Sequence, residues 1–289
     1  MADTHDGRLS TMGAFDGIAR GRSHAAEPDL NDVAVADRYS RERMSGTDHP
    51  GEIVAAQELT RRYGEGEAAV DALAGVTVSF PQQRFAAIMG PSGSGKSTLM
   101  HLLAGLDRPT SGHVQIAGVE LTDLDDRALT RLRRDRIGFI FQTFNLLPVL
   151  DAEENILLPL SIAGRDVDRE WFDTLVGAVG IGDRLKHRPA ELSGGQQQRV
   201  AVARALVSRP SVVFADEPSG NLDSKATDDV LMLLRQAVDE FEQTVVMVTH
   251  DAHAASFADR LLALADGRIV HDGEAVSTEQ TLDLMKALG

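Results

Sequence analysis

Residues 90–98 read GPSGSGKST, and this stretch restricts the chain to a small set of folds. It fits the pattern GxxxxGK[ST], in which glycines let backbone N–H groups face a nucleotide's phosphates, the lysine reaches the terminal phosphates and the hydroxyl holds Mg²⁺. The same letters would also suit a flexible Gly/Ser linker. In the phosphate interpretation, the contacts come from the whole stretch: Gly90, Pro91, Ser92, Gly93, Ser94, Gly95, Lys96, Ser97 and Thr98.

The segments on either side favour the phosphate interpretation. Phe85 to Met89 (FAAIM) is continuously apolar, which is typical of a buried parallel strand. Helical spacing follows the motif, with leucines at Leu99, Leu102, Leu103 and Leu106. The start of a helix presents unpaired N–H donors and about half a positive charge to a bound phosphate. A flexible linker would have neither a buried strand before it nor a helix after it.

Size and composition predict a soluble globular protein. The chain has 289 residues, 43% of them apolar, which is enough to bury a core. No apolar stretch approaches the length of about 18 residues needed to span a bilayer, and the N-terminus lacks the apolar segment of a signal peptide. The chain has no cysteine, which excludes disulfides, thiolate metal sites and cysteine nucleophiles.

Charge argues against a nucleic-acid-binding protein. The formal net charge is −15, whereas neutralising nucleic-acid phosphates needs clustered Lys and Arg. One local basic cluster opposes this conclusion: Arg131, Arg133, Arg134 and Arg136. Because apolar and acidic residues are interleaved with it, the pattern favours the solvated face of a helix that runs into a strand.

The chain divides near residue 50. Residues 1–50 contain nine acidic and six basic residues and no sustained apolar periodicity, so they are predicted to form a disordered tail. Beyond them, strands are predicted at residues 53–59, 76–80, 113–117, 137–141, 211–215 and 244–249, with a hairpin at 261–265 and 268–270. Helices are predicted at residues 121–132, 171–179, 196–207 and 225–240. Pro148, Pro159 and Gly164 indicate that the helices between residues 143 and 182 are short.

Two adjacent carboxylates follow the buried run that ends at Ala215. Open α/β sheets bind ligands at the carboxyl ends of their strands. Asp216 therefore suits Mg²⁺, and Glu217 suits the orientation or deprotonation of an attacking water. The alternative is a solvated acidic loop, which the preceding buried strand and the phosphate loop disfavour.

Two further strand ends carry polar candidates. His250 follows the strand at 244–249 and is able to hydrogen-bond a terminal phosphate. Gln142 follows the strand at 137–141 and is long enough to touch Mg²⁺ or water from a mobile segment. Neither residue type is diagnostic alone, so both candidates depend on the other motifs.

Residues 192–199 (LSGGQQQR) resemble the signature loop of ABC-type ATPases. The order of motifs is similar to the family's complete set: the phosphate loop, Gln142, the signature, VVFADEP at 212–218, SGNLD at 219–223 and His250. The similarity covers approximately residues 52–275. It implies an α/β domain over residues 51–289: a P-loop NTPase (RecA-like) core, an antiparallel β subdomain, and a helical signature subdomain near residues 143–205.

The resemblance also implies a shared active site. Ser193, Gly194, Gly195 and Gln196 would begin a helix that faces the γ-phosphate bound to the opposite subunit. Asp223 matches the loop that contacts the partner across that interface. Tyr63 looks like the aromatic residue that stacks on adenine, with a core-filling role as the alternative. One chain would then hold half of each site, so hydrolysis would require two copies or a paralogue.

Residues 141–160 resemble the subgroup that serves lipoprotein release, macrolide export and related cell-division and peptide exporters. Its membrane partners have few transmembrane helices and a large extracytoplasmic domain. Apolar residues of this stretch would partly line a groove for the partner's coupling helix: Phe144, Leu146, Leu147, Val149 and Leu150. Two features depart from the subgroup: Ser219 stands where Thr is usual, and 50 residues precede the domain.

Together these features predict the cytosolic ATPase subunit of an ABC transporter. A homodimer or paralogue heterodimer would hydrolyse Mg-ATP and drive a separate permease, exporting or extracting a lipid, lipoprotein, peptide or drug, at the cytoplasmic face of the inner membrane. The expected roles are Lys96 for the β- and γ-phosphates, Ser97, Gln142 and Asp216 for Mg²⁺, Glu217 for water and His250 for the leaving γ-phosphate. The alternatives are a soluble ABC-type ATPase acting on nucleic acid or ribosomes, and a phosphate-loop small-molecule kinase.

Overall fold

The computed structural model describes residues 51–288, so the predicted disordered tail at residues 1–50 lies outside the described residues. The strands are β1 (Glu52–Tyr63), β2 (Val70–Pro81), β3 (Phe85–Met89), β4 (Ser111–Ile116), β5 (Val119–Glu120), β6 (Ile137–Phe141), β7 (Val212–Asp216), β8 (Val245–Val248), β9 (Arg260–Ala265) and β10 (Arg268–Glu274). The α-helices are α1 (Lys96–Leu103), α2 (Asp126–Arg136), α3 (Ala152–Ala163), α4 (Arg169–Val179), α5 (Gly194–Leu206), α6 (Ser224–Asp239), α7 (Ala252–Ala255) and α8 (Thr278–Leu288).

The larger sheet has six strands in the order β10-β9-β3-β8-β7-β6. All neighbouring pairs are parallel except β9 and β10, which form an antiparallel hairpin. Alternate residues of β3 enter two different apolar cores, with Phe85 on one face of the sheet and Ile88 on the other. Because helices and the second sheet cover both faces, the central strands are apolar throughout rather than alternating.

The smaller sheet is antiparallel, with the order β2-β1-β4-β5. It is joined to the larger sheet close to the phosphate loop. Ala74 N donates a hydrogen bond to Gly267 O in the β9–β10 turn (2.9 Å). A side chain on Gly95, just before α1, would overlap the carbonyl oxygen of Ala72. The β1–β2 hairpin therefore lies directly against the phosphate loop.

Helices α3, α4 and α5 share a core with one face of the larger sheet. Ile156, Phe172 and Val200, one from each helix, are buried in the same cluster as Phe85. Acidic or hydroxyl side chains cap the starts of these helices, since Asp151, Asp168 and Ser193 each accept a backbone N–H bond. The region matches the position of the predicted signature subdomain, whose boundaries stay a prediction. Within residues 51–288, the helices are too short or too polar to cross a bilayer.

The structure confirms the predicted α/β architecture and corrects some of the predicted element boundaries. The strands at residues 85–89 and 137–141 have the predicted bounds. The helix predicted from Leu121 instead begins at Asp126, because Asp125 caps it and Leu121 N pairs with Val114 O (2.7 Å) in the small sheet. Helix α3 has 12 residues in total; it includes Pro159 and ends at Ala163, before Gly164.

Candidate functional site

The strand order brings four candidate segments to one edge of the larger sheet. Parallel pairing places Ile88 beside Val248, Val248 beside Asp216, and Asp216 beside Phe141. The phosphate loop, His250, the two carboxylates and Gln142 follow these positions directly along the chain. They therefore lie side by side in that order, as expected for the carboxyl edge of a parallel sheet.

The phosphate loop needs glycine for steric reasons. Gly90, Gly93 and Gly95 have φ angles of 150°, 80° and 101°, a region that other residues rarely adopt. A side chain on Gly90 would also overlap Leu264 O. The Ser94 hydroxyl is buried and has no hydrogen-bond partner within the described residues. The loop thus forms a backbone-lined cradle with an unpaired polar atom, as a phosphate site requires.

Lys96 begins α1 and lies over this cradle. Its Nζ donates hydrogen bonds to Gly90 O and Pro91 O, each at 2.9 Å. Burial lowers the pKa of the Lys96 ammonium, while the nearby carboxylates Glu217 and Asp216 act in the opposite direction. A partly desolvated ammonium exchanges neutral carbonyl partners for charged phosphate oxygens with a gain in hydrogen-bond strength.

Asp216 ends β7 and is half-buried. Burial raises the pKa of its carboxyl, and His101 and Lys96 partly offset this effect. No hydrogen-bond donor from residues 51–288 reaches this carboxylate, so its oxygens are available to a cation.

For Mg²⁺, the predicted donors Ser97, Gln142 and Asp216 supply a hydroxyl, an amide and a carboxylate oxygen, which are ligands this ion accepts. Within the described residues there is no group of three or more His, Cys, Asp or Glu side chains that could hold a metal. A single carboxylate fits a Mg²⁺ ion that takes its other ligands from water and nucleotide phosphates.

Glu217 and His250 form a direct pair. His250 Nδ1 lies 2.8 Å from Glu217 Oε1, with Glu217 mostly buried and His250 mostly exposed. Glu217 adopts a φ of 48°, a left-handed conformation that costs a non-glycine residue about 1–3 kcal/mol. Its backbone N–H is fixed by Val248 O at 2.9 Å. Glu217 therefore combines a left-handed backbone with a carboxylate in contact with His250 at the carboxyl edge of the sheet.

Gln142 lies against the loop that leads to α6. Asn221 Nδ2 donates to Gln142 O (3.0 Å), and a side chain on Gly220 would come within 2.7 Å of Gln142 Nε2. The same loop ends at Asp223, whose carboxylate caps α6 through Ala226 N (2.8 Å). Gln142 therefore lies against the short loop at residues 219–223, and Asp223 lies at the end of that loop.

The signature residues begin α5. Ser193 and Gln196 form a reciprocal capping box, since Gln196 N donates to Ser193 Oγ (3.3 Å) and Ser193 N donates to Gln196 Oε1 (2.9 Å). Gly194 and Gly195 follow the cap, and Gly195 packs on Ala226 at the start of α6. Within the described residues, no hydrogen bond joins the two predicted anion-binding elements of one chain, this helix start and the phosphate loop, to each other.

Tyr63 ends β1 and is 41% exposed. Its hydroxyl donates to Asp107 Oδ2 (2.9 Å), and the Arg61 guanidinium lies 4.5 Å from the ring centroid. A core-filling role does not describe a ring with this exposure. The stacking role stays a prediction.

Three polar residues near the site were missed by the sequence analysis. Gln198 is fully buried on α5, and its Nε2 donates to Pro218 O (2.7 Å) and Phe141 O (3.4 Å). Asn155 is fully buried on α3, where its amide bonds the backbone of the segment from Leu147 to Asp151. Arg204 donates to Phe144 O and Asn145 O, and burial lowers the pKa of its guanidinium. For Asn155 and Arg204 the only sequence signal was a polar residue on a buried helix face, whereas Gln198 lies within the LSGGQQQR stretch but was given no role.

Of the predicted groove residues, Leu147 and Val149 are exposed, whereas Phe144, Leu146 and Leu150 are partly buried. Asn155 and Arg204 hold the backbone on which they lie. The φ angles of Phe144 and Asn145 are positive (57° and 51°). The segment therefore has a defined shape that presents two apolar side chains outward.

Comparison with known proteins identifies the family of this chain. The profile described as ABC transporter matches residues 73–220. The chain is 46% identical over 222 residues to the lipoprotein-releasing system ATP-binding protein LolD of Geobacter metallireducens, covering 76% of this chain and 99% of that protein. It is 45% identical over 225 residues to the macrolide export ATP-binding/permease protein MacB of Marinobacter nauticus, covering 77% of this chain and 35% of that protein.

The chain spans between 32% and 35% of the length of the macrolide export relatives first matched. Among solved structures, it resembles the ATP-binding cassette MJ0796 of Methanocaldococcus jannaschii, in a dimeric post-hydrolysis state bound to ADP and Pi. The TM-score is 0.70 at 41% identity, covering 78% of this chain and 100% of that one.

Proposed function

The chain belongs to the ABC transporter family, and from this membership we propose that two copies close on two Mg-ATP molecules and drive a membrane permease. The predicted family and fold are confirmed by the matching profile, relatives and solved cassette. The observation that carries the proposed function is the grouping of Lys96, Asp216, Glu217 and His250 at one sheet edge, beside a glycine cradle.

In the proposed reaction, this chain's residues bind the triphosphate and activate water. Lys96 Nζ and the loop N–H groups neutralise the β- and γ-phosphate oxygens. Ser97, Gln142 and Asp216 would hold Mg²⁺, which when bound would neutralise further phosphate charge. Glu217 accepts the proton of the attacking water. Its Oε1 is engaged by His250 Nδ1, which leaves Oε2 for that water.

His250 has a second nitrogen for the phosphate. An ionised carboxylate only accepts hydrogen bonds, so His250 Nδ1 is the donor toward Glu217. The ring is largely exposed, so its Nε2 would be available to a phosphate. Nε2 donates to the leaving γ-phosphate only when the ring carries both protons. His250 would therefore contact both the proposed general base and the leaving phosphate.

Each active site would be completed by a second copy of the chain or a paralogue. The start of α5 offers Ser193 and the N–H groups of Gly194 and Gly195, which suit an anion by helix-terminus electrostatics. This element makes no hydrogen bond to the phosphate loop of its own chain within the described residues. The dimeric state of the solved relative supports the same arrangement.

The proposed partner is an integral membrane permease with few transmembrane helices and a large extracytoplasmic domain. Leu147 and Val149 form the apolar part of the surface that it would contact. The relatives named for lipoprotein release and macrolide export support a lipid, lipoprotein, peptide or drug as cargo. The subunit would then lie on the cytoplasmic face of the membrane, held there by the permease.

Specific ATPase activity at increasing protein concentration tests this proposal. Because the site is shared, activity per chain should rise with concentration and reach a plateau, and Lys96→Ala should remove it. Membrane pull-down should recover a permease through the intact chain, and Val149→Asp should weaken that capture without changing basal hydrolysis. Concentration-independent phosphorylation of a metabolite would contradict the proposal in favour of a kinase. Stimulation by nucleic acid or ribosomes, with no permease captured, would favour the soluble ATPase.

A further inference from the structure

The Tyr63 side chain is held by two residues that no motif includes. Tyr63 Oη donates to Asp107 Oδ2, and Arg61 Nη2 donates to Asp107 Oδ1, each at 2.9 Å. The backbone N–H of Arg108 also donates to Asp107 Oδ1 (2.8 Å). Both carboxylate oxygens are thus engaged, so Asp107 joins the end of β1 to the segment that follows α1.

Arg61 also covers one face of the Tyr63 ring. Its guanidinium carbon lies 4.5 Å from the ring centroid, within the range of a cation–π contact. The Arg61 side chain is 23% exposed and that of Asp107 is 29% exposed, whereas Tyr63 as a whole is 41% exposed. Arg61 and Asp107, which together form the clamp, are partly buried, and Arg61 covers one face of the ring, so a base would stack on the opposite face.

The ring lies near the phosphate loop. Tyr63 pairs with Val70 across the β1–β2 hairpin, and Arg61 pairs with Leu73. Between those positions on β2, Ala72 approaches so closely that Gly95 of the phosphate loop has no room for a side chain. A nucleotide with its phosphates on the loop therefore has its base within reach of this hairpin end.

We propose that Arg61 and Asp107 are positioning residues that fix the Tyr63 ring as a preformed platform for the purine base of ATP. This inference rests on the proposed function, because it concerns the nucleotide of the same site. A ring fixed by two contacts loses little further rotamer freedom when a base stacks on it. Offset stacking on the uncovered face then adds to the affinity, and the guanidinium completes a layered arrangement of cation, ring and base.

The test measures the binding of the base separately from the binding of the phosphates. Asp107→Ala and Arg61→Met should raise the KM for Mg-ATP about threefold to tenfold with kcat little changed, because restoring rotamer freedom weakens only base binding. The inhibition constant of Mg-tripolyphosphate, which has no base, should stay the same. Tyr63→Phe keeps the ring but loses the bond to Asp107, so it should show a smaller shift in the same direction.

Arg62→Met is the matched control, since Arg62 lies on the same strand and pairs with Asp71 at 3.5 Å on the exposed surface. This substitution should leave the KM for Mg-ATP and the inhibition constant of Mg-tripolyphosphate unchanged. Equal weakening of ATP and tripolyphosphate binding would overturn the proposal by revealing a general structural role for the clamp. An unchanged KM for ATP in Asp107→Ala and Tyr63→Phe, both folded by circular dichroism, would also overturn it.

Failure of the clamp is distinguishable from failure of the proposed function. If Tyr63→Ala weakens ATP binding while Asp107→Ala does not, the ring serves the base without its clamp and only this inference is wrong. If the intact chain neither binds nor hydrolyses Mg-ATP, the proposed function itself is contradicted.

Discussion

His250 Nδ1 lies 2.8 Å from Glu217 Oε1, although the two residues are 33 positions apart in the chain. The contact joins the end of β8 to the residue after β7, which are neighbouring parallel strands. A residue type that is uninformative in the sequence thereby becomes the partner of the proposed general base.

We expect Glu217→Gln to keep ATP binding and to slow hydrolysis by about 10²–10⁴-fold, because an amide cannot accept the water proton. The bound, uncleaved nucleotide should then hold two chains together. Steady-state ATPase assays and sedimentation with Mg-ATP measure the two effects. Turnover near that of the unmodified chain would remove Glu217 from its proposed role.

Ser193→Arg should abolish hydrolysis while each chain still binds ATP, because the added guanidinium fills the space before α5 that the partner's γ-phosphate would occupy. Calorimetric titration of ATP and an ATPase assay separate binding from turnover. Ser277→Arg is the matched control, since Ser277 and Gln280 form the same type of capping box before α8. Activity lost equally in both variants would point to a lost helix cap rather than a shared site.

Gln198→Leu should lower kcat more than it changes the KM for ATP. Its amide joins α5 to Pro218 O and Phe141 O. Pro218 directly follows Glu217, and Phe141 directly precedes Gln142. Removing this donor from Pro218 O should also reduce the free energy of unfolding by about 1–3 kcal/mol. Gln197→Leu is the comparison, because that amide donates instead to Leu192 O (3.1 Å). Similar kcat values in the two variants would contradict a positioning role for Gln198.

Two glycine substitutions should change stability in opposite directions. In Gly138→Ala the new methyl group would lie 2.5 Å from Ala205 O, so the free energy of unfolding should fall by about 1–3 kcal/mol. Gly177 is an exposed position of α4 with no atom within 4 Å of a new methyl group. Gly177→Ala should therefore raise the free energy of unfolding by about 0.5–1 kcal/mol. Urea unfolding followed by circular dichroism measures both. A stabilised Gly138→Ala variant would contradict the packing around β6, and a destabilised Gly177→Ala variant would contradict the open space at α4.

The local parts of the fold were predictable from the sequence. The strand before the phosphate loop and the strand before Gln142 have the bounds expected from their apolar runs. The start of α2 was not predictable, because Leu121 is apolar and helically spaced yet its backbone is used by the small sheet. The periodicity of the side chains does not reveal the distant strand that competes for the backbone hydrogen bonds of this residue.

The sequence by itself determined the motifs, their order and the strand–loop–helix setting of the phosphate loop, because each motif is made of residues close together in the chain. Only the tertiary structure decided which polar side chains support those motifs. Tyr63 and Asp107 are 44 positions apart, and Gln198 and Phe141 are 57 apart. A buried polar group is satisfied by whatever partner packing brings to it, and packing is set by the whole sheet order rather than by any local pattern.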